Sequence, residues 1–239
     1  MIPSLGISTK PDQEIINKRY RRTIHYCSMK GKKVLDFGCG DGTQTLLFAH
    51  HANTILGFDV KREEIEKFFK TIFRNDIKNV CPMSYDGQNL PSPDGSVDVV
   101  ISFEVLEHTQ DDSKALNEIY RVLKVGGELV MSVPNKAWVF ETHGARLPLL
   151  PWNRVPFFSW LPKSIHEQFS HARIYRRKEI ASLLRKHGFE VLGSEYTTAP
   201  MDIIKVGWLQ NLLRSTLFRG DTTKIPLLST SIITYCKKI

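Results

Sequence analysis

The sequence predicts an α/β fold, a mostly parallel sheet with helices on both faces that fills one large domain of a 239-residue chain. Three observations predict it. Apolar, strand-like runs alternate with segments that carry helical stripes, the order that builds parallel sheets covered on both sides. The first strand runs directly into a glycine-dense acidic turn, Val34-Leu35-Asp36-Phe37-Gly38-Cys39-Gly40-Asp41-Gly42. Aspartates then recur at the ends of the next two strands, where an open parallel sheet binds its ligands.

The elements follow in order. After a polar arm, Asp12 is placed to cap a helix whose apolar face carries Ile16, Tyr20, Ile24 and Cys27 and which ends near Gly31. Residues 1–31 therefore read as an arm and a helix that covers a cleft, and 32–239 as the domain proper. Strands are expected at Lys33 to Phe37, Thr54 to Phe58, Asn79 to Met83, Val97 to Ser102 and Glu128 to Val133. Helices are expected between them, near Thr43 to His50, Lys61 to Phe73 and Asp112 to Lys124. The last of these has Leu116, Ile119, Tyr120 and Leu123 on one face and glycines just beyond it. A helix from Arg177 to His187 stops at Gly188, and strands at Glu190 to Glu195 and Ser231 to Cys236 finish the pattern.

Two stretches interrupt this rhythm. An insertion at about 134–174 holds Trp138, Phe140, Trp152, Phe157, Phe158 and Trp160 among prolines too frequent for one long helix. A second, within about 200–228, carries Ile203, Val206, Leu209, Leu213 and Leu217 along one helical stripe, with Lys205, Arg214 and Arg219 elsewhere. Either suits a lid or a membrane-surface element.

Composition narrows the functional classes. Four separated cysteines, without C-x-x-C spacing, suggest neither a zinc site nor a disulfide framework, so a reducing cytoplasm is the default location. The first residues lack the pattern of a signal peptide, and no apolar run approaches the ~20 residues of a spanning helix. A soluble or peripheral protein is expected. The net charge of +8 is concentrated at 18–22, 173–178 and 237–238. Such runs suit an anionic membrane or RNA, although a solvated surface is the ordinary explanation of each.

The glycine turn sets the ligand. Gly38, Gly40 and Gly42 let the backbone bend and approach a ligand closely, but the third glycine of a dinucleotide fingerprint would fall on Thr43. Asp36 and Asp41 repel a diphosphate and tolerate an ammonium and a sulfonium, which favours S-adenosylmethionine and disfavours a dehydrogenase. Asp36 can organise the loop and reach the ammonium. Asp59, ending the second strand, can accept from both ribose hydroxyls. Asp86, in Ser84-Tyr85-Asp86-Gly87-Gln88-Asn89-Leu90-Pro91, can accept from the adenine amino group, with the Gly87 N–H near the ring.

With these motifs assembled, residues 33–133 resemble the class I S-adenosylmethionine-dependent methyltransferases, specifically the type 11 group. The resemblance rests on Val34 to Gly42, Gly57-Phe58-Asp59-Val60, Asp86 to Pro91, Phe103-Glu104-Val105-Leu106-Glu107-His108 and Leu123-Lys124-Val125-Gly126-Gly127. It implies a Rossmann-like seven-stranded sheet of order 3-2-1-4-5-7-6 with the last strand antiparallel. It adds Cys39 and Val60 to the candidate donor-binding residues and implies that Ser102 and Phe103 line the methionine end. Beyond residue 133, Pro134-Asn135-Lys136, the segment Trp160 to His166, and Gly188-Phe189 resemble the layout of ubiquinone-biosynthesis O-methyltransferases, which insert a membrane-contacting segment there.

Methyl transfer from a sulfonium needs alignment and exclusion of water more than it needs acid or base. An acceptor hydroxyl still benefits from a base, and Glu107-His108 are the nearest candidates. Glu104, Glu107 and His108 would share one face of a helical turn and suit Mg, Mn or Zn as an alternative role, but no metal is assigned. His143, with His166, His171 and Arg173, lies in the insertion and is a candidate for acceptor contact. The leading expectation is O-methylation of a small, amphipathic or lipid-like acceptor, with peripheral contact to an anionic membrane. A tRNA-modifying methyltransferase and a non-catalytic S-adenosylmethionine-binding scaffold are the alternatives. No RNA-binding module is visible, which disfavours nucleic acid.

Overall fold

Central strands that must be covered on both faces carry apolar residues at nearly every position, and this chain sorts them by alternation. In the computed structural model, which describes residues 14–140, 145–147, 150–152 and 156–239, β1 (Lys33–Phe37) turns Leu35 and Phe37 to one core and Val34 to the other. β4 (Val97–Phe103) divides likewise: Val97 and Val100 face the first core, Val99 and Ile101 the second. The strand β5 (Leu123–Pro134) gives Leu129, Met131 and Val133 to the first core and Val130 to the second. Helices α3 (Asp112–Val122) and α5 (Arg177–Lys186) close the first face through Leu116, Ile119, Ile180 and Leu184. Helix α2 (Arg62–Arg74) closes the second with Ile65, Phe68 and Ile72.

β2 (Thr54–Asp59) and β3 (Val80–Ser84) extend the sheet beyond β1, all parallel with β4 and β5. β10 (Ser229–Lys238) runs antiparallel between β5 and β8 (Phe189–Thr198). The order is β3-β2-β1-β4-β5-β10-β8-β9, so the order implied by the resemblance holds, with the two-residue β9 (Thr222–Thr223) added at the edge. Because β8 and β5 run the same way, the segments that follow them leave from the carboxyl edge of the sheet, as do the loops after β1, β2 and β4.

Three elements differ from expectation. The helix expected over 43–50 is only a 3-10 turn, Thr45–Phe48, because the Thr45 hydroxyl donates to Asp36 (2.6 Å) and Phe48 is drawn into the core. The helix α3 stops at Val122, and the chain enters β5 at once. In the 200–228 segment the helix is limited to α6 (Gly207–Ser215), with no residue buried, so Ile203, Val206 and Leu217 lie outside any helical stripe. Between β5 and α5 lie the hairpin β6 (Ala145–Leu147) and β7 (Leu150–Trp152) and the short helix α4 (Lys163–Phe169). Asp12 and His143 lie outside the described residues.

The basic run at 18–22 is corrected from solvated surface to structural contact. In α1 (Glu14–Tyr26), Lys18 is buried and donates to the Gly220 carbonyl (2.6 Å), and Arg22 pairs with Glu195 (2.9 Å). Arg21 binds Asp221 and Glu14, and Arg19 is buried at the cleft.

Gly42 gives a stability test. Its φ is +79°, and a Cβ there would lie 2.1 Å from the buried Phe68 ring. Gly42→Ala is expected to cost about 1–2 kcal/mol for the left-handed backbone and about 1–3 kcal/mol for overpacking. In a chain of this size that lowers Tm by about 5–15 °C in thermal unfolding; a fall under about 2 °C would mean that Phe68 moves aside freely.

Candidate functional site

The first βα turn bends through three glycines with positive φ, at 38, 40 and 42. A Cβ on Gly38 would strike Val105 at 2.3 Å, so this glycine is required by packing, whereas Gly40 has open space before it. The turn is tied to the next strand by one carboxylate: Asp59 accepts from the backbone N–H of Gly40 (2.9 Å) and of Lys61 (2.8 Å). Two strand ends are thereby held at one mouth.

That mouth opens on a cavity of about 410 Å³. The structure brings Asp36, Gly38, Cys39, Gly40, Asp59, Val60, Asp86, Gly87, Phe103 and His108 to its wall, a set drawn from four loops. Asp86 is exposed, and its carboxylate accepts from Gln88 N and Asn89 N at 2.8 Å. Those N–H bonds, Asn89 first, hold it below the usual carboxylate range, so it presents a full negative charge at neutral pH. Ser102 and Glu107 do not reach the wall: both are buried, Ser102 at 1% exposure and Glu107 at 2%. Among the other candidates, His166 is fully buried against Phe158, and neither it nor His171 and Arg173 lines the cavity.

Asp36 lies beneath the turn, wholly buried. Desolvation, partly opposed by the Thr45 hydroxyl and assisted by Asp59, pushes it up to about 7. The proton is thus retained far longer in the folded chain than in the unfolded one. The stability this contributes is complete below the unfolded carboxylate value near 3.8 and is lost as pH rises through about 7. Relative to Asp36→Asn, the protein without ligand should lose about 1.4 kcal/mol per pH unit across that window and then level off. Parallel stability curves for the two proteins would refute the assignment.

The wall formed by the loop after β4 is strained and braced. Glu104 has φ +57°, a left-handed backbone that a glutamate seldom adopts, and such residues concentrate at functional sites. Its N–H donates to Ser132 O (3.0 Å), while its carboxylate accepts from the Ser132 hydroxyl (2.8 Å) and pairs with Arg19 (3.0 Å). Glu104, Glu107 and His108 therefore do not form the single helical face that their spacing suggests; only Leu106–His108 makes a 3-10 turn. Among the described residues, no group of three or more His, Cys, Asp or Glu side chains is gathered to hold a metal ion. Burial first, and the charge of Glu104 second, push the Glu107 carboxyl well above its usual range. His108 Nε2 lies 3.9 Å from it, beyond hydrogen-bond distance.

Arg19 is a residue of the cavity wall that sequence reasoning missed. It lines the cavity at 5% exposure, and its Nε has no hydrogen-bond partner among the described residues, a donor that a bound carboxylate would satisfy. Helical spacing could have found it, since it follows Ile15 by four residues and Ile16 by three, and both are buried. Tyr85, packed on Phe37 and Phe58, is a second wall residue missed.

A sequence profile described as a methyltransferase domain matches residues 13–193. The chain belongs to this methyltransferase family. A relative from Mycolicibacterium smegmatis, named "Probable S-adenosylmethionine-dependent methyltransferase", is 32% identical over 72% of this chain and 56% of its own length. The methyltransferase chain thus spans little more than half of that relative. A ubiquinone biosynthesis O-methyltransferase from Coxiella burnetii is 27% identical over 77% of this chain and 74% of its own. The crystal structure of an S-adenosylmethionine-dependent methyltransferase from Mesorhizobium loti superposes with a TM-score of 0.65 at 17% identity, covering 96% of this chain and all of that one. This last likeness is one of fold.

S-adenosylmethionine is the cofactor of this methyltransferase, and the wall fits it. The open face of Gly40 admits close approach, Asp59 and Asp86 supply acceptors for hydroxyl and amino hydrogens, and Asp36 and Arg19 suit an ammonium and a carboxylate respectively. Among the described residues, no helix is long and apolar enough to cross a membrane.

Proposed function

We propose that the methyltransferase moves the methyl group of S-adenosylmethionine to a hydroxyl of a small, amphipathic acceptor. One observation carries this reading: His108, the imidazole on the cavity wall, sits on the same wall as the donor-binding glycine turn. Bound S-adenosylmethionine supplies an electrophilic methyl on a sulfonium that departs without acid assistance. The protein's tasks are then to align the acceptor, keep water away and take one proton. Phe103 and Val105 give the wall an apolar stretch. His108 accepts the acceptor's hydroxyl proton as the new O–C bond forms. Glu107, buried beside it with a carboxyl oxygen 3.9 Å from Nε2, backs the ring.

Arg173 holds this base in place. It donates through Nη2 to Leu106 O (2.8 Å), Thr109 O (2.7 Å) and the Thr109 hydroxyl (2.9 Å), which ties the insertion to the turn that carries His108. It is a positioning residue. The relative named for ubiquinone biosynthesis and O-methylation supports an oxygen nucleophile on an amphipathic molecule.

The test incubates purified protein and donor separately with lipid-phase and polar extracts, and reads S-adenosylhomocysteine release together with the product's gain of one methylene mass. A lipid-phase product methylated on oxygen is expected. Turnover confined to the polar extract, or methyl found on nitrogen or in tRNA, would overturn the reading.

A further inference from the structure

Helix α6 leaves its largest apolar side chains on the outside. Two of its polar side chains face the protein, where Gln210 donates to the carbonyls of Met201 and Ile204 (3.0 Å each) and Arg214 binds Pro200 O (2.9 Å), Gln210 and Asp202, while Asn211 and Ser215 are exposed. Leu213 alone gives an apolar anchor against the cluster around Trp138. The outward face carries Trp208, 70% exposed, and Leu212, one turn on and 50% exposed, and Leu217 just beyond the helix is exposed as well. A surface helix is stabilised by burying its apolar residues, so this arrangement is complete only when something covers Trp208 and Leu212.

Charge and position identify what covers them. Within residues 200–228 both acids are neutralised, Asp202 by Arg214 (2.6 Å) and Asp221 by Arg21 (2.6 Å), while Lys205, Arg219 and Lys224 are exposed. Apolar residues with a tryptophan among them, flanked along the chain by exposed lysine and arginine, suit the headgroup region of an anionic bilayer. The helix follows β8, so it stands at the carboxyl edge of the sheet, beside the insertion that follows β5. Trp138, at the root of that insertion, meets Phe218 at 6.4 Å between ring centroids and Phe140 at 5.9 Å. Phe157 and Trp160 of the insertion are exposed too.

We propose that α6 is a docking element for an anionic lipid bilayer, which enters the headgroup region by Trp208 and Leu212 and sets the carboxyl edge of the sheet, with its donor cavity, against the lipid surface. For its purpose the inference rests on the amphipathic-acceptor reading, because a lipid-phase substrate is then met where it resides.

The test uses the whole protein with phosphatidylcholine vesicles, with and without phosphatidylglycerol, in co-sedimentation and tryptophan fluorescence. The protein is expected to sediment with the anionic vesicles and to shift its emission to the blue. The double variant Trp208→Ser, Leu212→Ser should bind them at least about tenfold more weakly, with its affinity for S-adenosylmethionine, read by calorimetry, unchanged as proof of folding. No sedimentation, equal sedimentation by the variant, or a dimer that the variant abolishes without any vesicle binding would each overturn the docking. Methylation of a dispersed amphipathic acceptor by a protein that ignores vesicles would overturn the docking alone. Vesicle binding without any lipid-phase acceptor would instead remove the acceptor reading and leave the docking standing.

Discussion

Replacing His108 by glutamine is expected to lower kcat by about 10²–10⁴-fold, the range by which a positioned general base contributes. The effect should fall on the chemical step. Glutamine is near histidine in size and can keep a polar contact on the cavity wall, but it cannot accept a proton from the acceptor hydroxyl. Affinity for the methyl donor should hold, since the residues that suit the nucleoside lie on other loops of the cavity. The measurement is kcat and KM for both substrates across pH, with donor affinity taken by calorimetry. If the variant keeps more than about a tenth of the original kcat, proton removal by His108 is not part of the mechanism. A falling donor affinity would instead mean that His108 shapes the cavity.

Asp59→Ala should act on binding first. In the structure Asp59 holds the glycine turn to the start of the next helix through Gly40 N and Lys61 N, and on the proposed reading it also accepts from the two ribose hydroxyls. Hydrogen bonds to a charged group are worth about 1.5–3 kcal/mol each, so losing two to the ligand weakens donor binding by about 10²–10⁴-fold. Loosening of the turn adds to that loss. Asp59→Asn is an intermediate case, because its single amide oxygen can keep only one of the bonds from Gly40 N and Lys61 N while its NH2 group faces the other donor and its charge is gone. The expected order of affinity is wild type, then asparagine, then alanine. A change below about tenfold for alanine would remove the ribose assignment.

How much of this was legible in the sequence depends on how locally each feature is determined. The strands were legible because Val34-Leu35 and Val99-Val100-Ile101 are apolar on both faces, as only a doubly covered strand requires. Asp36, Asp59 and Asp86 were legible because topology assigns strand ends to the ligand. The 3-10 turn at Thr45–Phe48 was not, since it depends on a side-chain bond from Thr45 to a residue in another element. Arg19 was hidden for a related reason: within a basic run its charge reads as surface, and what buries it is Glu104, distant in sequence and held in an unusual backbone conformation. The outward face of α6 was equally hidden. Its stripe of leucines suits a lid or a membrane-surface element alike, and only the carbonyls that Gln210 and Arg214 find in the structure show which side the protein claims.

The antiparallel strand between β5 and β8 has a consequence for the order of synthesis. On the ribosome β8 emerges before β10, yet in the finished sheet β8 has no hydrogen bonds to β5 and is joined to it only through β10. A nascent chain that has delivered β8 carries two open strand edges until β10 arrives, the kind of surface that chaperones cover. The residues lining the donor cavity all lie between Arg19 and Gln110, upstream of that gap. The wall of the cavity is therefore delivered early, before the strand that locks the sheet has been made.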